Sequence, residues 1–119
     1  MKKIYLLFIL FFLSFSGYSQ TGMLNGTGYA PNFTVTDING TSHTLYDYLD
    51  SGYVTVLELL SVTCGHCIAY APGTENSYQT NGPNGTNVAR FLGLEVNSST
   101  DSTAIANFMS TYGVTFPIA

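Results

Sequence analysis

Val54-Thr55-Val56-Leu57-Glu58-Leu59-Leu60, then Ser61-Val62-Thr63, then Cys64-Gly65-His66-Cys67: this stretch decides the fold of the 119-residue chain. The first seven residues, apolar apart from Thr55 and Glu58 and rich in β-branched side chains, read as a buried strand. The short turn that follows delivers two thiols three positions apart at the mouth of a helix. The helix N-terminus gives the first thiol an electropositive setting, which lowers its pKa and makes it a nucleophile. A strand, a turn carrying C-x-x-C and a helix form the context of a reversible redox pair. Cys64 and Cys67 are the only cysteines, too few for a disulfide scaffold. A bridge between them closes so short a loop that it constrains the unfolded chain little. A purely structural bridge is the plainer alternative.

The first nineteen residues read as a signal peptide. Lys2 and Lys3 form a basic start, Ile4 to Phe15 an apolar run, and Gly17 and Ser19 the small residues before a cut after Ser19. A retained membrane anchor is the alternative, and the absence of a cysteine at the cut argues against a lipoprotein. Residues 20–29, rich in Gly, Thr and Asn, read as a flexible lead-in. Once the leader is removed, Arg90 is the only Lys or Arg, against seven acids, and the formal charge is −6. Such a surface is unsuited to phosphate backbones, which need clustered Lys and Arg, or to anionic lipid. Nucleic acid is excluded as a partner, and no membrane association is expected after cleavage. Disulfide chemistry persists outside the cytosol, in agreement with export.

Along the rest of the chain, Phe33 to Thr36 alternates as a short strand. Asp37-Ile38-Asn39-Gly40 is a turn, since Asn-Gly tolerates positive φ. Thr44 is a candidate cap for a short helix to Asp50, with Leu45, Tyr48 and Leu49 on one face, closed by Gly52. After strand 54–60, a helix is expected from Cys64 or Gly65 into the upper 70s, kinked at Pro72. Residues 80–87 are a polar loop and Val88 to Val96 a second apolar strand. Thr103 to Tyr112 is helical, with Ile105, Phe108, Met109 and Tyr112 on one face. The chain then runs through Val114-Thr115-Phe116-Pro117-Ile118 to Ala119. Alternating strands and helices predict an α/β domain over residues 30–119 with parallel strands.

In order and spacing, Ala30-Pro31-Asn32-Phe33, Asp37-Ile38-Asn39-Gly40, Leu45, the strand into C-x-x-C and Tyr112-Gly113-Val114-Thr115-Phe116-Pro117 resemble exported thioredoxin-like proteins of the TlpA/redoxin type. The resemblance covers residues 30–118 and implies a thioredoxin-like α/β fold. It also implies that Cys64 is the attacking cysteine and Cys67 the resolving one. Glu58, six residues before Cys64, matches a buried acid of the family. Protein disulfide isomerase has a glutamate there and the same C-G-H-C motif. Pro72 matches the proline that kinks the active-site helix. Two positions depart from the pattern. Thr63 replaces the usual tryptophan, and Pro117 is not the family's cis-proline. The cis-proline loop, a strand hairpin and a last helix would follow Ala119, so the thioredoxin-like domain is expected to be truncated at its C-terminal end, with the active-site strand exposing an edge.

The chemistry expected of this site is thiol–disulfide exchange between Cys64–Cys67 and protein disulfide or dithiol substrates, with a redox partner protein for turnover. The cysteines carry the electrons, so no cofactor is required. Gly65 and His66 modulate the motif. A His66 imidazole that favours the Cys64 thiolate would shift the potential toward the −180 mV or so of protein disulfide isomerase and away from about −270 mV for thioredoxin. Its plainer reading is an exposed turn residue. Glu58 is a candidate proton carrier for Cys67, or else an edge acid facing water. A peroxidase of the P-x-x-x-T-x-x-C type is disfavoured, because Ser61 and Leu57 occupy the two positions counted back from Cys64. A metal site on Cys64, Cys67, His66 and His43 is disfavoured because His66 lies inside the pair and His43 reads as a surface residue of a polar loop. A non-catalytic adhesion or interaction domain of a larger secreted protein is the remaining alternative.

Overall fold

A computed structural model describes residues 30–119. The expected leader and lead-in, residues 1–19 and 20–29, lie outside the described residues. The unit Asn32–Ala119 holds strands β1 (Thr34–Thr36) and β2 (Ser42–Thr44), helix α1 (Leu45–Asp50), strand β3 (Val54–Leu60), helix α2 (Gly65–Asn81), strand β4 (Ala89–Glu95) and helix α3 (Ser102–Tyr112). The α/β alternation and the boundaries of β3, α2, β4 and α3 agree with the sequence pattern to within a residue or two.

β3 and β4 pair in parallel, Val54 opposite Ala89 through Leu60 opposite Glu95. The N–H of Val54 reaches the carbonyl of Val88, and the carbonyl of Leu60 accepts from Val96. In a parallel ladder this turns the backbone groups of Thr55, Leu57 and Leu59 toward the other, unpaired edge of β3. Contrary to the buried strand expected, only Leu60 of β3 is buried, and Val54, Leu57 and Leu59 are 64%, 39% and 69% exposed, because no element among the described residues covers that part of the strand. Among the described residues, no strand pairs with that edge of β3. The far side of β4 is covered. Gly93 N–H donates to Pro117 O at 2.8 Å, Ala119 N–H to Gly93 O at 2.9 Å, and Glu95 N–H to Ala119 O at 2.8 Å. Residues 117–119 thus lie parallel to β4, bridged to it at Gly93 and Ile118.

One cluster fills the core: Leu60, Ala71, Ala89, Phe91, Ile105, Phe108, Val114, Phe116 and Ile118 are buried together. Burying a side chain such as Phe116, Leu60 or Ile118 contributes about 1.5–3 kcal/mol. Ile105 and Phe108 of α3 are buried, and Met109 and Tyr112 flank them, as the helical period predicts. Asp101 caps α3 by accepting the N–H of Ala104 at 2.8 Å, and Gly113 ends it in the left-handed region at φ 67°.

The N-terminal hairpin departs from the sequence expectations. β2 was not legible, and His43 is buried, 6% exposed, not a surface residue. The reason is a polar cluster. Asp37 Oδ2 accepts from His43 Nε2 at 2.9 Å, and the other His43 nitrogen, Nδ1, is hydrogen-bonded to the Tyr48 hydroxyl at 2.5 Å. Asp37 Oδ1 also accepts the N–H groups of Asn39 and Thr41, fixing the turn in which Gly40 takes φ 84°. Thr44 stands at the N-cap of α1 but does not cap it with its side chain; its hydroxyl pairs with that of Thr34. On the proposed apolar face of α1, Leu45 is buried but Leu49 is 42% exposed.

Candidate active site

Strand β3 ends at Leu60, and the turn Ser61-Val62-Thr63 carries the chain to α2. Cys64 N–H donates to Ser61 O at 2.9 Å, which closes that turn. Cys64 is the N-cap of α2 in extended conformation, with its sulfur at the helix mouth, and Cys67 lies in the first turn. Both are free thiols. The N–H of Cys67, the Cys67 thiol and the N–H of His66 all favour the Cys64 thiolate and hold this thiol below its ordinary range. Cys67 behaves oppositely. The N–H of Ser61 works to lower it, but the hydrogen bond with Cys64, burial and the Cys64 charge prevail and push it up. The two thiols are thus split into a nucleophile and a reserve.

His66 contributes to lowering the Cys64 thiol through its backbone. The exposed His66 side chain lines a groove with Cys67, Glu58, Leu57, Leu59 and Tyr70. Glu58 is half-buried on β3, and its Oε2 is buried with no hydrogen-bond partner. Glu58 and Cys67 therefore share one groove between β3 and α2. Gly65 opens α2 with free space where a Cβ would sit, so packing does not demand a glycine there. Pro72 is exposed within α2, which runs without a break from Gly65 to Asn81. Having no N–H, it offers no donor to the carbonyl of Ile68. His43 is committed to Asp37 and Tyr48, apart from the cysteine motif. Among the described residues no three His, Cys, Asp or Glu side chains are arranged to hold a metal ion.

Two groups around the thiols escaped the sequence reading. One is Ser61, whose backbone works to lower the Cys67 thiol. The other is Glu95, whose Oε2 accepts the N–H of Val62 at 2.9 Å from the end of β4. A lone acid at the C-terminal end of an apolar strand was the available signal.

The model of the AhpC/TSA family matches residues 28–119. The chain belongs to the AhpC/TSA family. No curated protein matches this family member in sequence. Among solved structures, it is similar to a Bacteroides thetaiotaomicron protein named for protein disulfide isomerase, at 26% identity and TM-score 0.62, over 75% of this chain and 53% of that one. A secreted Mycobacterium tuberculosis disulfide oxidoreductase homologous to E. coli DsbE matches at 24% identity and TM-score 0.60, over 72% and 57%. A thiol:disulfide interchange protein of the thioredoxin family from Chlorobium tepidum matches at 20% identity and TM-score 0.63, over 75% and 57%. The fold is therefore thioredoxin-like, and this AhpC/TSA-family chain spans just over half the length of these structures.

Proposed function

We propose that this chain is the N-terminal part of an exported thiol–disulfide oxidoreductase that acts on protein disulfides or dithiols through Cys64 and Cys67. The observation that carries the reading is Cys64 at the N-cap of α2 with Cys67 in the first turn of the same helix, a setting that holds the Cys64 thiol below its ordinary range. The family match and the disulfide oxidoreductases among the similar structures support it. The basic and apolar pattern of residues 1–19 supports export to the periplasm or beyond the cell, with residues 30–119 forming the thioredoxin-like domain.

In the reducing direction, the Cys64 thiolate attacks a substrate disulfide. A Cys64–substrate S–S bond forms, the substrate S–S bond breaks, and the departing sulfur takes up a proton. Cys67 then gives its proton to Glu58 and attacks the Cys64 sulfur. The Cys64–Cys67 bond forms as the second substrate thiolate leaves. The substrate gains two electrons, the pair loses two, and a partner dithiol restores it. In the oxidising direction the same steps run backward. Gly65 and His66 shape the helix mouth through their backbone, and Pro72 shapes the helix behind it.

A peroxidase reading has less support, because Ser61 and Leu57 stand where the peroxidatic motif needs threonine and proline. Mixed-disulfide trapping tests the proposal. Cys67→Ser should accumulate a substrate linked to Cys64, and Cys64→Ser should trap none. Equal trapping by both variants, or by neither, contradicts it.

A further inference from the structure

Charge is distributed unevenly along the parallel pair β3–β4. The cysteine turn and the loop after β4 both lie at the carboxyl end of the two strands. That end carries Glu58, Glu95 and Asp101 and no Lys or Arg. Arg90, the one Lys or Arg among the described residues, stands at the opposite end, where Val54 and Ala89 begin the ladder. It is held there: its guanidinium lies 3.5 Å over the Tyr53 ring and donates to Asn87 Oδ1 at 2.9 Å and to Ala89 O at 3.0 Å. The seven residues of β3, at about 3.3 Å each, separate the two ends by about 20 Å, against a Debye length of about 10 Å at 0.1 M salt. Arg90 is therefore screened from the thiols.

The three acids differ in their partners. Asp101 accepts the N–H of Ala104 at the cap of α3, and Glu95 accepts the N–H of Val62 with one oxygen and that of Asn97 with the other. Glu58 Oε2 has no partner. Glu58 lines the groove shared with His66, Cys67, Leu57, Leu59 and Tyr70, where Leu59 and Tyr70 are 69% and 71% exposed. A carboxylate between apolar walls attracts a cation, and repels an anion, more strongly than it would in open water.

We infer that the exchange site selects disulfides flanked by cationic groups over those flanked by anionic ones, with Glu58 the residue that sets the preference. The inference rests on reading Cys64–Cys67 as the exchange pair. The preferred substrate is then a basic polypeptide segment, and acidic segments and oxidised glutathione are disfavoured. The selection acts on approach to Cys64, and so is separate from any passage of a proton between Cys67 and Glu58.

The test uses the full chain carrying Cys67→Ser, in which only the first step occurs. The Cys64 thiolate forms an S–S bond to one sulfur of the probe, the probe S–S bond breaks, and the departing thiolate takes up a proton. The probes are cystamine with two ammonium groups, bis(2-hydroxyethyl) disulfide with no charge, and 3,3′-dithiodipropionate with two carboxylates. Adduct formation followed by mass gives each rate, which is divided by the rate of free mercaptoethanol with the same probe. The cationic probe should lead the anionic one by about tenfold at low salt, and by less than about threefold in 0.5 M salt. Glu58→Gln should bring the low-salt ratio to about threefold or less, whereas Asp50→Asn, an equal charge change on an exposed residue just before β3, should leave it near tenfold. Leu59→Lys places a cation at an exposed position of the same groove and should lower the ratio as Glu58→Gln does; it decides the matter if Glu58→Gln does not fold. An unmoved ratio in Glu58→Gln or Leu59→Lys, an equal loss in Asp50→Asn, or a ratio that ignores salt overturns the inference. A Cys64 that reacts with none of the probes overturns the exchange reading and this inference with it. Reaction with all three at one normalised rate overturns the inference alone.

Discussion

Glu75, on the active-site helix α2, accepts the backbone N–H of Thr115 at 2.7 Å across 40 residues of sequence. The same carboxylate takes the Thr115 hydroxyl at 2.6 Å, the Gln79 amide at 2.6 Å and the Phe116 N–H at 3.4 Å. It therefore fastens the helix that starts at the cysteines to the segment that lengthens the sheet beyond β4.

Burial alone would raise the Glu75 carboxyl, but the Thr115, Gln79 and Phe116 hydrogen bonds outweigh it and hold the group below the usual carboxylate range. Because the folded-state pKa is lowered, the stabilisation is present above the unfolded value and is lost as pH falls through the folded one. Glu75→Ala should cost about 1–3 kcal/mol at neutral pH. It should also remove part of the acid sensitivity that sets in as pH falls through and below the ordinary carboxylate range. Urea unfolding of both proteins across that range measures the difference. Parallel curves with the same offset at every pH would contradict the assignment.

The buried Asp37–His43 pair has side chains 5% and 8% exposed. Burial raises Asp37, while the hydrogen bonds from His43, Thr41 and Asn39 prevail and keep it low. Removing one member of a buried pair leaves the other uncompensated. His43→Ala should therefore destabilise the unit by about 3 kcal/mol, and Tyr48→Phe by about 1 kcal/mol. Thermal unfolding read by near-ultraviolet circular dichroism gives both values. A His43→Ala protein as stable as wild type would show that the cluster contributes nothing.

Peptide N–H groups hold the Cys64 thiolate, so His66→Ala should leave the pH midpoint of Cys64 alkylation within about half a unit of wild type. Cys64 should alkylate at lower pH than an ordinary thiol, and Cys67, followed in Cys64→Ser, at higher pH. A rise of a full unit or more at Cys64 in His66→Ala would transfer the effect to the imidazole.

A Cβ placed on Gly93 would lie 2.9 Å from Ile118 Cγ1, 3.0 Å from Leu60 Cδ2 and 3.2 Å from Phe116 Cε2. These three side chains are the most deeply buried large ones. Gly93→Ala should overpack this point and cost about 1–3 kcal/mol. Chemical denaturation at neutral pH checks it, and a neutral or stabilising result would mean that the core yields there.

The cysteine motif and its two flanking elements were legible because their signals are local. Five of the seven residues of β3 are apolar, and Ile105, Phe108, Met109 and Tyr112 repeat at the helical period. The residues that escaped the reading act at a distance. Ser42-His43-Thr44 has no apolar alternation, and His43 turns inward only because Asp37 waits six residues upstream. Glu95 faces Val62 only after β4 has paired with β3, and Glu75 faces Thr115 only after α2 has packed. Leu49 was placed on the inner face of α1 by periodicity, but a helix of six residues is too short for its period to fix a face.

The most direct measurement is a glutathione redox titration of Cys64–Cys67 on the full chain, with the thiol state read by alkylation and mass. Exchange chemistry predicts one reversible two-electron transition between about −120 and −270 mV, the span of catalytic pairs. A pair that remains oxidised below about −300 mV would be a structural disulfide, and the account of this site as an exchange centre would be wrong.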